Sequence, residues 1–363
     1  MLNNTIDTRQ LFILLVLSRI FHLLTYVPRS GTSVNGSAML LSFIVSTGFI
    51  LIAFLPMWVM ISRRGDSQII DYAQEISPAL ARITAFIFGI FCLFVAVETV
   101  SNFIYFLTST VYVSWPVFWL AILFTVVCAY GAAMGLEAMA RVGFYLFIVT
   151  IAAGIFIAVA LIPRYNSLWL ISPLEEGVSP VMKGAVGSFS TTFELIPFYL
   201  LASKTKGSKP KTFLLWAVVM LLIYELIGIM LLTSLGDYSK TQIFPFYAAA
   251  SVAEISIFQR LDALHIAVWI FIGALKVALF LYLASFCFHR VSGRPKSKLA
   301  LPLCGAAVII VSSALLTKVT LFHNLSAMLR TGIPMVTVGF ILPLILMVIG
   351  VFKKGEKRHE KNR

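Results

Sequence analysis

Residues 83–112 read ITAFIFGIFCLFVAVETVSNFIYFLTSTVY, thirty residues in which Glu98 is the single formal charge. A helix that crosses a bilayer needs about 20 mostly apolar residues, so this run is long enough to span with a strong tilt. Hydrocarbon offers no partner to an exposed amide or carbonyl. A lipid-embedded run of this length is therefore read as a helix, which satisfies its backbone internally. The rest of the chain repeats the pattern. Of 363 residues, 60% are hydrophobic and 12% charged, and the mean hydropathy is +0.97. Soluble chains carry roughly 25% charged residues. Half that charge cannot clothe a folded surface in water. A soluble globule, a disordered chain and a soluble nucleic-acid binder are excluded, and the apolar residues suffice for about ten spanning helices.

Ten apolar segments are predicted near 10–28, 38–61, 83–112, 116–132, 141–162, 180–202, 212–235, 266–288, 299–317 and 332–352. The expected class is an all-α polytopic membrane protein, a single transmembrane domain over 1–363. Ten segments divide into five plus five, one repeat over about 10–162 and an inverted second over about 180–352, with segments 1 and 6 as the equivalent, broken members. This reading rests on count and position. With the N-terminus cytoplasmic, nineteen of the 28 Lys and Arg residues fall in inside joints or in the basic tail 353–363. Six fall outside: Arg29, Arg164, Lys240, Arg260, Lys318 and Arg330. That bias places both termini in the cytoplasm and accounts for the net charge of +13 through topology and contact with anionic lipid, with no role for nucleic acid. The first apolar run carries Arg19 and His22 and has no small-residue cleavage site, so it reads as a retained helix. The joint 236–265 contains FPFYAAASVAEISIFQRLDAL (244–264), whose three-to-four spacing of apolar residues predicts a helix lying on the outer surface.

Segment 6 is the weakest helix. Residues 182–201 read MKGAVGSFSTTFELIPFYLL, with Gly184, Gly187, Ser188, Ser190, Thr191 and Thr192 ahead of Glu194 and Pro197. Gly and Pro weaken the helix and free amides and hydroxyls for a ligand's charged ends. Close packing through small residues is the alternative. Arg19, Glu98, Glu194, Glu225 and Lys276 are charges at membrane depth. They should face the bundle interior, as a coupling site or as a structural ion-pair network. Lys276 and Glu98 are the stronger functional candidates, and Glu225 the more structural. His22 follows Arg19 by three residues on the same helix face, suited to a proton or carboxylate site or to simple packing. Glu98, Ser101 and Asn102 form a polar stripe on segment 3. Cys92, Cys128, Cys287 and Cys304 lie in apolar runs without paired spacing and read as small hydrophobes. No phosphate-binding loop, metal-ligand cluster or nucleophile elbow is present, so neither an enzyme activity nor a cofactor is expected.

Several motifs carry a resemblance. Gly135–Arg141 (GLEAMAR) is similar to the Gly-(Ile/Leu)-Glu-x-x-x-Arg motif of spore-germination permeases, the permease B subunits of nutrient germinant receptors in endospore-forming bacteria. Ile171–Gly177 (ISPLEEG) resembles their Leu-x-Pro-x-(Leu/Phe)-x-x-Gly pattern. Ile257–Trp269 (IFQRLDALHIAVW) resembles their Phe-x-Arg-(Ile/Leu)-Asp signature, and Arg9-Gln10-Leu11-Phe12 fits their N-terminal pattern. The resemblance implies the amino acid–polyamine–organocation permease fold, with segments 1, 3, 6 and 8 forming a site for a small nutrient, usually an amino acid. It also implies assembly with a larger A subunit and a C-subunit lipoprotein in the inner spore membrane, and relay of binding to release of ions and dipicolinate. One departure is that Phe21-His22-Leu23 stands where many members have a Gly-x-Gly break.

These readings converge on a nutrient-sensing permease-like receptor subunit. Its ligand site is expected to draw on Phe21, His22, Leu23, Glu98, Ser101, Asn102, Gly187, Ser188, Ser190 and Thr191. Arg19, Glu194, Glu225 and Lys276 would form the charge network. The ligand's carboxylate is expected at the amides of Gly187 and Ser188, and its ammonium near Glu98 or carbonyls of the broken helices. The alternative is a proton-coupled amino-acid transporter built from the same residues.

Overall fold

The computed structural model describes residues 5–25, 36–64, 68–111, 115–175, 177–255, 258–293 and 298–361. The chain is almost entirely helical. The first half comprises β1 (Ile6–Asp7), α1 (Thr8–Leu24), α2 (Gly36–Arg64), α3 (Ile69–Ile76), α4 (Pro78–Thr110), α5 (Val117–Met134) and α6 (Leu136–Leu161). Two 3-10 turns lead to α7 (Val178–Ser190), α8 (Leu195–Leu201), β2 (Thr205–Lys206), α9 (Lys209–Leu235), α10 (Tyr238–Thr241) and α11 (Pro245–Val252). A hairpin of β3 (Glu254–Ile255) and β4 (Phe258–Gln259) precedes α12 (Asp262–Ser292), α13 (Ala300–Thr317), α14 (Val319–Arg330), α15 (Ile333–Val336), a π-helical turn (Thr337–Ile341) and α16 (Leu342–Lys361).

Nine helical stretches among the described residues are long and apolar enough to cross a membrane, and α7 with α8 forms one of them. The 17-residue α1 rises about 26 Å at 1.5 Å per residue, slightly less than a hydrocarbon core. It is packed between α6, α9 and α12, and most of its residues are buried. The long α4 and α12 run along one another, and α2 lies against α7 and α9. Aromatic stacking joins the centre: Trp269 of α12 stacks on Phe21 of α1 at 5.2 Å and on Phe103 of α4 at 5.2 Å. Gly273 makes room for Phe21, because a Cβ there would stand 2.7 Å from the ring. The Tyr199 hydroxyl faces the carbonyls of Ala53 (3.1 Å) and Gly339 (2.8 Å), tying α8 to α2 and to the π turn, where the widened ring leaves carbonyls available.

Two expectations are corrected. Segment 1 is not broken at residues 21–23: α1 is continuous to Leu24, where the Thr25 amide and hydroxyl both donate to the Phe21 carbonyl. Phe21, His22 and Leu23 carry none of the conformational freedom that glycines would have brought. The surface helix expected over 244–264 ends at Val252. Ala253 is extended, Arg260 adopts φ 64°, and the amides of Arg260 and Leu261 donate to the carbonyls of Ala253 and Ala250. The chain turns there instead of continuing, and α12 starts at Asp262, four residues before the expected onset of its segment. The basic stretch after 352 continues α16 to Lys361. Arg29, Ile257, Arg294, Lys296 and Arg363 lie outside the described residues.

Candidate functional site

The interruption of segment 6 organises the centre. Helix α7 ends at Ser190 and α8 begins at Leu195. The last carbonyls of a helix lack amide partners. Here hydroxyls and a guanidinium reach them. Ser190 donates to the Gly187 carbonyl at 2.7 Å. Thr191 and Thr192 donate to the Ser188 carbonyl at 3.0 and 3.2 Å, and Arg19 Nη2 reaches that same oxygen at 2.9 Å. Arg19 also contacts the hydroxyls of Thr191 (3.2 Å) and Ser188 (3.3 Å), and its guanidinium lies 5.0 Å from the centre of the Tyr224 ring. A cation at a helix C-terminus is favoured by the helix dipole.

On the other side of the break, Glu194 stands at the N-terminus of α8, where a carboxylate is favoured for the same reason. Its Oε1 accepts from the Ser18 hydroxyl at 2.7 Å and from Lys276 Nζ at 3.2 Å, and Lys276 also donates to the Ser18 carbonyl at 3.0 Å. Both charged side chains are fully buried. One ion pair thus joins α1, α8 and α12 at the break.

A second group lies nearby. His22 Nε2 is 3.6 Å from Glu98 Oε2, and Asn102 Nδ2 donates to Glu98 Oε1 one turn along α4. Phe193, in the break, touches both groups, with its ring centre 5.1 Å from the His22 ring and 5.4 Å from Lys276 Nζ. His22, Glu98 and Asn102 form one wall of a cavity of about 150 Å³. It is lined as well by Lys183, Gly184, Gly187, Ser188 and Thr191 of α7 and by Met39, Ser42 and Phe43 of α2. Tyr224 and Gly228 of α9 and Ser326 of α14 complete it. A Cβ built on Gly187 would meet no atom within 4 Å, so this glycine keeps the cavity open.

The structure therefore brings His22, Leu23, Glu98, Asn102, Gly187, Ser188 and Thr191 to one cavity, and Arg19, Glu194 and Lys276 to its neighbourhood. Four expected residues stand apart. Phe21 packs on Trp269. Ser101 is buried against neighbouring helices, away from the cavity, and Ser190 bonds back to its own helix. Glu225 is partly exposed on α9 and joins neither charge group. The amides of Gly187 and Ser188 lie inside α7, not in an unwound stretch, so a carboxylate does not find them free. Lys183, one turn before Gly187 on the same face, was missed as a site residue although the i, i+4 spacing was legible. Tyr224 was missed because nothing in its apolar segment distinguishes it from a packing aromatic.

Residues 5–320 match the model of a family described as spore germination protein, the spore permeases. The chain belongs to this family. Over 266 residues it is 23% identical to spore germination protein XB of Bacillus anthracis, with 72% of each chain covered. Family membership and nine apolar helices among the described residues make it a multi-pass membrane protein. The quoted family motifs occupy structural corners. Gly135 (φ 91°) turns the chain from α5 into α6, where Arg141 pairs with Glu137 at 2.6 Å. Gly177 (φ 85°) starts α7, and Arg260 pairs with Asp262 at 2.9 Å at the head of α12.

Proposed function

We propose that this chain is the nutrient-binding permease subunit of a germinant receptor and that it binds a small amino acid in the cavity between α1, α4, α7 and α9. The observation that carries this reading is that an acidic side chain, Glu98, and a basic one, Lys183, line one and the same cavity. An α-amino acid presents an ammonium and a carboxylate on adjacent groups. Glu98, held by Asn102 and facing His22, receives the ammonium. Lys183 and the hydroxyls of Ser188 and Ser326 receive the carboxylate. A cavity of about 150 Å³ takes a ligand of about six heavy atoms, the size of the smaller amino acids.

In this reading the fold is the ten-segment, five-plus-five permease with α1 as its first span. Both termini are cytoplasmic and the membrane is the inner spore membrane. The receptor A subunit and the C-subunit lipoprotein are its partners. A signal requires that ligand bind two conformations with different affinity. The break of segment 6 is the element that can differ, because side-chain contacts from α1 (Ser18 and Arg19) and α12 (Lys276) hold it in place of continuous helical hydrogen bonds. The test is a thermal-shift panel of amino acids, sugars and nucleosides on the purified chain. Stabilisation by small amino acids and by no other class is the expected result. Stabilisation by sugars or nucleosides alone overturns it.

A second reading, proton-coupled amino-acid transport, draws support from the buried Lys276–Glu194 pair, since paired ionisable groups at depth mark ion pathways. Amino-acid uptake into proteoliposomes by this chain alone favours the transporter. Binding without uptake favours the receptor.

A further inference from the structure

Behind the nutrient cavity, separated from it by Phe43, Ser188 and Tyr224, lies a second and much smaller cavity of about 20 Å³. It is lined by Arg19, Ser46, Thr47 and Trp216 together with apolar side chains of α2 and α9. Two of its lining residues carry a buried donor without a partner among the described residues. Trp216 is fully buried, and its indole Nε1, which can only donate, has no hydrogen-bond partner among the described residues. The buried Ser46 hydroxyl has none either. Arg19 has five N–H groups, and its contacts to Ser188 and Thr191 engage three of them. No carboxylate lines this cavity, and Arg19 has no carboxylate within ion-pair distance among the described residues.

We propose that this cavity is a binding site for a small monovalent anion of chloride size, held by Arg19, Trp216 and Ser46. Leaving a buried donor without a partner is costly, and two residues with such donors line the same space as a cation that has no carboxylate within ion-pair distance among the described residues. A single anion satisfies all three, because it only accepts. A water molecule accepts from at most two of these donors, so the third stays unmet or Ser46 turns its hydroxyl to accept from the water. The volume exceeds the minimum for one water, about 10–15 Å³, and admits one particle of that order. It does not admit a polyatomic carboxylic acid. The site is independent of the nutrient reading. It shares with the nutrient cavity the side chains of Phe43 and Tyr224 and the end of α7, whose Ser188 carbonyl Arg19 holds.

The test uses the full chain in lipid nanodiscs with no nutrient present, comparing sodium chloride and sodium bromide with sodium gluconate at constant ionic strength. Thermal stability and halide NMR line broadening are the readouts. Saturable stabilisation by chloride and bromide, with none from gluconate, is expected. Trp216→Phe keeps the ring and removes the donor, and Ser46→Ala removes the hydroxyl. Each should weaken halide binding at least about tenfold, the equivalent of one lost hydrogen bond to an ion. Equal stability in chloride and gluconate identifies the occupant as water and overturns the proposal. Halide binding that survives undiminished in either variant assigns it to another site and overturns the proposal as well. Ser46→Ala removes only one oxygen, so the comparison remains decisive even where Trp216→Phe fails to fold.

Discussion

Lys276 Nζ lies 3.2 Å from Glu194 Oε1, with both side chains wholly removed from solvent and the Ser18 hydroxyl bonded to the same oxygen. Burying two charges is costly, and removing one partner leaves the other uncompensated. Glu194→Gln and Lys276→Met should each destabilise the chain by about 3–5 kcal/mol. The double variant should lose clearly less than the sum of the two, as expected for residues that act as a pair. Reversible unfolding in detergent, analysed as a double-mutant cycle, checks this. Additive losses would mean that the two charges are stabilised separately.

Gly187 offers a substitution that separates stability from binding. A methyl group there meets no neighbour within 4 Å and projects into open space. Gly187→Ala should stabilise α7 by up to about 1 kcal/mol through helix propensity. Gly187→Leu should fold equally well but fill the cavity, lowering the affinity for small amino acids at least about tenfold, a loss of about 1.4 kcal/mol. Thermal melts with and without ligand read both effects on one sample.

Gly273 is the opposite case. Its Cβ would stand 2.7 Å from Phe21, which is held in the stack with Trp269. Gly273→Ala should cost about 1–3 kcal/mol by overpacking. Trimming the ring with Phe21→Leu should recover part of the loss. Comparing melting temperatures of the two single variants and the double decides the matter.

The proposed function gives Glu98 to the ligand's ammonium. Replacing it with Gln should cost an amino-acid ligand about 1.5–3 kcal/mol, the contribution of a hydrogen bond between charged groups. The matching 2-hydroxy acid, which has no ammonium, should bind Glu98→Gln and the native chain alike. Equal losses for both ligands would remove Glu98 from that role.

The membrane class and the helix-by-helix layout were legible because apolar runs answer to one solvent. The i, i+4 relation of Glu98 and Asn102 translated directly into a hydrogen bond. Weakness in segment 6 was legible from its composition, but the position of the break was not. Gly184 and Gly187 stay helical because intrahelical amide bonds satisfy them in an apolar setting. The chain yields at Thr191–Glu194, where the hydroxyls of Thr191 and Thr192 turn back on the Ser188 carbonyl and where Ser18, Arg19 and Lys276 supply replacement partners from elsewhere in the sequence. Such long-range partners leave no periodic signal. Ser101 shows the same limit, since its proximity to Glu98 on one helix did not fix which neighbour it would face. The turn at Arg260 was hidden because apolar spacing continues straight through it.

The parallel pairing of β1 with β2 sets Ile6 opposite Thr205 and Asp7 opposite Lys206. It fastens the residues just ahead of α1 to those just behind α8, the two helices that also share the Ser18–Glu194 bond. A tag or fusion attached immediately before Ile6 therefore pulls on the far end of the interrupted helix as well as on the first one. Labels for reporting conformational change belong at other positions, and a label placed there acts as a perturbation of the interrupted helix itself.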